Sequence, residues 1–152
     1  MFEIALWEPE IPPNTGNVAR LCVASGARLH LIGRLGFRLD DRSLRRAGLD
    51  YWAEVDIHHH VSLAAFEEAH PGRVFCFSAR APQQVPYTEA AYQPGDALLF
   101  GSETRGLPPT VLERYGKQTL TIPMPGGKVR SLNLATAVGI VLYEALRQQR
   151  IW

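Results

Sequence analysis

Cysteine is nearly missing: the chain holds two, Cys22 and Cys76, each inside an apolar segment. Two thiols so placed read as small buried hydrophobes in a reducing compartment, and they exclude a disulfide framework. Long hydrophobic runs are missing as well, since no stretch reaches the roughly 18 uninterrupted apolar residues of a membrane span. The N-terminus enters M-F-E-I-A-L-W directly, with no basic leader segment. The expectation is a cytoplasmic protein without a membrane partner. An excess of one charge is also absent: 16 Lys and Arg stand against 15 Asp and Glu, a formal net charge of +1. No overall basic field announces nucleic acid. With no internal repeat, low-complexity tract or linker, 152 residues at 46% hydrophobic content fit a single domain over 1–152.

Familiar catalytic signatures are missing too. The first strand-to-helix connection lacks G-x-G-x-x-G, which disfavours a standard dinucleotide-binding domain. No G-x-S-x-G elbow or convincing Ser-His-Asp pattern is present. His58, His59 and His60 are consecutive, and neighbouring strand residues point to opposite faces, so they read as a solvated edge; no metal is expected. Gly101 and Gly106 stand at the G-x-x-x-x-G spacing of a phosphate loop. Leu107 and Pro108 occupy the places of its Lys and Ser/Thr, however, and Glu103 sits inside the loop. A P-loop hydrolase is thereby excluded.

What is present is an alternation of strand and helix patterns. Apolar β-rich runs lie at 2–7, 28–32, 54–58, 74–77, 97–100 and 118–122. Helical patterns lie between them: one capped by Asn14 or Thr15 and stopped by Gly26, one over 40–47, one over 62–69 with Ser62 as cap, one over 108–114, and a long closing helix over 133–149. The order indicates an α/β domain with a mainly parallel sheet, whose ligands sit beyond the carboxyl ends of the strands. Three polar, turn-rich segments fall there: E-P-E-I-P-P-N-T-G-N at 8–17, F-G-S-E-T-R-G at 100–106 and I-P-M-P-G-G-K-V-R-S at 122–131.

Each segment has a structural and a functional reading. Asn14, Asn17 and Arg20 either cap and decorate a helix or use its start to hold an anion or lone-pair donor. Glu103 and Arg105 pair with each other, or meet a partner group. Ser131 and Asn133 are helix caps, or they face one pocket with the other loops. Arg34, Arg38, Arg42, Arg45 and Arg46, opposed only by Asp40 and Asp41, are a phosphate-binding patch or a solvated helix face.

Taken together, E-P-E-I-P-P-N-T-G-N-x-x-R-L-C at 8–22, G-F-x-x-D-D-x-x-L-R-R-A-G-L-D-Y at 36–51, F-G-x-E-T-R-G-L-P at 100–108 and I-P-M with R-S-L-N-L within 122–134 resemble the SPOUT superfamily of RNA methyltransferases. Within it, the chain is similar to the small tRNA ribose 2′-O-methyltransferases of the wobble nucleotide, cytidine or uridine; the alternative is a 2′-O-methyltransferase acting on rRNA or another tRNA position, because the superfamily shares the catalytic loops. The resemblance implies an α/β knot with a deep C-terminal trefoil, a fold that general topology rules would not suggest. It implies S-adenosyl-L-methionine held at Phe77, Gly101, Ile122, Ser131 and Leu132. It implies catalysis by Arg20, with Asn14, Glu103, Ser131 and Asn133 completing the site and Glu103 orienting Arg20 or another cation. The implied partners are the anticodon stem-loop of tRNA, met by Arg42, Arg45, Arg46 and Tyr51, and a second copy in a homodimer; DNA is not among them. The P-G-G-K loop at 125–128 departs from the family pattern, and 79–92 carries little that matches it.

Overall fold

Alternation along the apolar runs builds a sheet covered on both faces. The structure, a computed structural model, describes residues 1–42, 44, 46 and 53–152. Its strands are β1 (Glu3–Trp7), β2 (Arg28–Ile32), β3 (Ile57–His60), β4 (Val74–Phe77), β5 (Ala97–Phe100) and β6 (Thr119–Leu120). They form one sheet in the order β3-β2-β1-β5-β4-β6, and every pairing is parallel. Ile4, Leu6, Leu29, Leu31, Phe75, Phe77, Leu98 and Phe100 face α1 (Pro12–Ser25) and α4 (Leu134–Gln149), packing on Val18, Ala19, Cys22, Val138, Val141 and Leu142. Their strand neighbours Ala5, Ile32, Val74, Cys76, Ala97 and Leu99 form the other core with Phe66 of α2 (Leu63–Ala69), Leu107, and Val111 and Leu112 of α3 (Pro109–Tyr115). A parallel sheet needs both faces covered, and continuous apolar runs such as V-F-C-F and A-L-L-F meet that need.

Chain order reverses beside β1, which has β2 on one side and β5 on the other. Loops that follow β1 and β5 diverge at such a point and leave a crevice. After β6, next to β4 at the sheet edge, the chain returns to α4, which packs against α1. That return brings parts of residues 121–134 beside the carboxyl ends of β4 and β5.

Several boundaries differ from the sequence reading. β3 spans 57–60 rather than 54–58, because its register against β2 sets Ile57 opposite Leu29. β6 keeps two of five expected residues, and Thr121 instead bridges Pro86. α1 begins at Pro12, before the expected caps, because prolines in the first turn have no amide to satisfy. The expected helix over 40–47 falls partly outside the described residues. Ser62 caps α2 by accepting from the Ala65 amide at 3.1 Å, as expected. Gly26 closes α1 at φ 78°, where a side chain would be strained.

The histidine run is only partly a solvated edge. His58 and His59 are exposed, whereas His60 is half-buried and shares a 2.9 Å hydrogen bond with buried His30. His30 also lies 3.3 Å from Glu3 and edge-on to Phe66. Among the described residues, no three His, Cys, Asp or Glu side chains are placed so that they could hold a metal ion, and no helix is long and apolar enough to cross a membrane.

Candidate active site

A cavity of about 710 Å³ opens beyond the carboxyl ends of β4, β5 and β6, within the range of small-molecule sites. Phe77 and Phe100 line it, their rings stacked at 5.0 Å. The walls come from residues 77–80, 100–106 and 121–134, together with Ile11 and Asn14 at the start of α1. Phe77, Gly101, Ile122, Ser131 and Leu132 all line it, as do Asn14, Glu103 and Asn133. The donor set suits an adenosine-bearing ligand: stacked aromatic and aliphatic surface, with strand-end backbone for the polar edges. Arg20 lies outside this wall, on an exposed position of α1.

The glycines that imitate a phosphate loop serve a backbone knuckle. Ser102 and Gly106 form an antiparallel bridge, and the Gly106 amide donates to the Ser102 carbonyl at 2.9 Å. The knuckle folds so tightly that a Cβ on Gly101 would overlap the Gly106 carbonyl carbon and the Leu107 nitrogen. Gly106 itself sits at φ 64°, which most side chains avoid.

The carboxylate inside the loop is bound to amides. Glu103 accepts from the Glu10 and Ile11 amides, both at 2.8 Å, and from Asn14 Nδ2 at 3.2 Å. These bonds tie Glu103 to the start of α1, the helix that carries Arg20. They also fill the helix start with an anion from the protein itself, where an external group was one of the readings. Glu10 returns the exchange by accepting from the Thr104 amide at 3.0 Å and hydroxyl at 2.7 Å. Those bonds hold the Glu10 carboxyl below the usual carboxylate range, the side-chain bond from Thr104 contributing most. Arg105 does not pair with Glu103: its guanidinium lies 3.3 Å from Glu8 and over the Trp7 ring. Sequence reasoning missed Glu8, Glu10 and Thr104 as braces, because nothing in E-P-E-I-P-P points to a loop more than ninety residues away.

Asparagines extend this network to the third loop. Asn133 donates from Nδ2 to Asn14 Oδ1 at 3.0 Å, and its own Oδ1 accepts from the Thr136 amide at 3.2 Å, capping α4. A carboxylate only accepts, so Glu103 fixes which end of the Asn14 amide faces it. The series Glu103–Asn14–Asn133–Thr136 therefore joins all three strand-end segments beside the cavity. Both readings of Asn133 hold: it is a cap and it lines the pocket.

Of the basic patch, Arg42 and Arg46 are exposed, and Arg38 pairs with Asp40 at 3.1 Å. Arg45 and Tyr51 lie outside the described residues.

Known proteins match this chain along nearly its full length. The model of the SpoU rRNA Methylase family matches residues 1–143. A tRNA (cytidine(34)-2′-O)-methyltransferase of Burkholderia ambifaria is 51% identical over 152 residues, covering 97% of this chain and 96% of its own. A solved structure described as giving insights into 2-OH methylation of C/U34 on tRNA superposes with a TM-score of 0.94 at 55% identity, covering 100% of this chain and 98% of its own. An AdoMet-bound rRNA methyltransferase from Sinorhizobium meliloti superposes with a TM-score of 0.84 at 28% identity, covering 96% of this chain and 56% of its own.

Proposed function

The chain belongs to the SpoU rRNA methylase family, and from that membership we propose an S-adenosyl-L-methionine-dependent tRNA methyltransferase that modifies the ribose 2′-hydroxyl of the wobble nucleotide, cytidine or uridine at position 34. The observation that carries this reading is end-to-end correspondence with relatives named for that position. The rRNA enzyme, by contrast, extends well beyond its matched part.

S-adenosylmethionine supplies a methyl group already made electrophilic by the sulfonium. The protein therefore has to align the partners and favour attack by the ribose oxygen. Backbone at Phe77, Gly101, Ile122 and Leu132, with Ser131, holds the donor against the stacked rings. Arg20 acts on the ribose. An arginine with a pKa above about 12 is a poor base, so its guanidinium orients the 2′-hydroxyl or a neighbouring phosphate that takes the proton. Asn14 and Asn133 shape the pocket between donor and ribose. Glu103 acts at one remove: by holding the Glu10 and Ile11 amides it fixes the start of the helix that carries Arg20.

One catalytic domain over 1–152 works as a homodimer in the cytoplasm. α4 contributes to the contact, an assignment supported by exposed Tyr143 on the helix and by exposed Ile151 and Trp152 just after its end. The anticodon stem-loop lies across Arg42, Arg45 and Arg46, with Tyr51 offering a base-stacking ring. The test is to incubate the protein with labelled donor and total tRNA from cells that lack it, then map the methylated ribose. Methylation at the wobble nucleotide is expected; label confined to rRNA would reject the reading.

A further inference from the structure

The cavity wall carries charge that the asparagine network leaves unanswered. Arg80, just after β4, and Arg130, shortly before α4, both line it. Among the described residues, neither is paired with a carboxylate. The acid in the wall, Glu103, has both oxygens taken by amide donors.

The two arginines differ in how they are held. Arg80 donates from Nη2 to the Arg105 carbonyl, which fixes its guanidinium against the glycine loop. It lies so close that a Cβ on Gly106 would come within 2.7 Å of that nitrogen. Its backbone amide is anchored in turn on Ser78 Oγ at 3.0 Å. One N–H of the fork is used and the others remain, in the planar arrangement that binds a carboxylate by two parallel bonds.

S-adenosylmethionine carries two cationic groups, the sulfonium and the amino group, and one anionic group, its α-carboxylate. The Glu103 oxygens are already taken by amide donors, whereas the two guanidinium groups in the wall keep open N–H donors, the groups that suit the α-carboxylate. We propose that Arg80 receives the α-carboxylate of the methyl donor and so selects ligands that bear the complete amino-acid tail. The proposal rests on the reading that this cavity holds S-adenosylmethionine.

The test is calorimetric titration of the full chain with S-adenosylhomocysteine and with its decarboxylated counterpart, S-adenosyl-3-thiopropylamine. Arg80→Ala is expected to weaken the first by about tenfold or more while leaving the second within about twofold, as removal of a charged hydrogen-bonded pair requires. Arg80→Lys should recover part of the affinity, having charge without the fork. Equal weakening of both ligands would make Arg80 a brace for the glycine loop and overturn the proposal. So would a carboxylate-selective effect in Arg130→Ala with none in Arg80→Ala. If the unaltered protein binds neither ligand, the donor reading falls and this inference with it.

Discussion

Asn133 and Asn14, 119 residues apart in the chain, meet side chain to side chain at 3.0 Å, and Asn14 passes the contact on to Glu103. The buried Asn14 amide is both donor and acceptor, so it joins two loops that would otherwise share only a cavity. Asn14→Asp preserves its size and its bond from Asn133. It removes the donor, however, and sets two carboxylates against each other. We expect stability to fall by about 1–3 kcal/mol, the cost of a buried polar contact turned unfavourable, with methyl transfer falling at least about tenfold. Urea unfolding and a transfer assay measure the two effects. Unchanged stability would mean that the network is incidental.

Arg20→Ala should abolish methyl transfer, a drop on the order of 100-fold or more, while S-adenosylhomocysteine affinity stays within about threefold. The split follows from placement: Arg20 is outside the cavity wall, so the donor does not depend on it. Turnover near that of the unaltered chain would remove Arg20 from the mechanism.

The contrast between Glu103 and Asn133 shows what a sequence can disclose. Strand-end position marks both as candidates, because apolar runs and the turn residues after them are local signals. The cap role of Asn133 is also legible, being set by the helix it precedes. The partners of Glu103 are not, since the bonds from Glu10 and Ile11 depend on which strands are neighbours. Pairing of β1 with β5 is a property of the whole sheet, and no local pattern encodes it. For the same reason the sequence pattern starts β3 three residues early and offers Arg105 the wrong acid. The histidine run misleads differently: alternation of faces holds along the strand, but His30 lies on another strand and draws His60 inward.

That histidine pair predicts a pH dependence of stability. Burial lowers His30 from 6.5 to about 4, outweighing the opposite pull of Glu3, and burial lowers His60 as well. Above about pH 6.5 the ring is neutral in folded and unfolded chains alike, and stability is complete. As pH falls below that value, the unfolded chain accepts a proton that the folded one refuses. Stability declines until about pH 4, where folded His30 protonates. The total is on the order of 3 kcal/mol. Urea midpoints across this range should fall, and His30→Leu should flatten the fall; an equal slope in both proteins would exclude His30 as its source.

Charge reversal at exposed Arg42 and Arg46 tests the RNA surface separately from chemistry. If each meets one phosphate, Arg42→Glu/Arg46→Glu weakens tRNA binding and lowers the slope of log affinity against log salt by roughly 0.7–0.9 for each phosphate no longer neutralised. Donor affinity should not move. Binding isotherms at several salt concentrations measure the slope, and an unchanged slope would return these residues to a solvated helix face.

Gly101 offers the sharpest test of the knuckle. A methyl group there would overlap backbone atoms of Gly106 and Leu107, not a flexible side chain that can swing away. Gly101→Ala must therefore break the bridge between Ser102 and Gly106 and open the loop. Opening it pulls Glu103 from the Glu10 and Ile11 amides and Thr104 from Glu10. It also moves one wall of the cavity. Donor affinity should fall by at least about tenfold, as when a site loses its preorganised geometry, and stability should fall by about 1–3 kcal/mol for the strain. Gly126→Ala provides the control, because a Cβ there meets nothing within 4 Å and the chain should tolerate it. Were the glycines at 101 and 106 remnants of a phosphate cradle, Gly101→Ala would instead alter phosphate affinity and leave the unfolding midpoint in place.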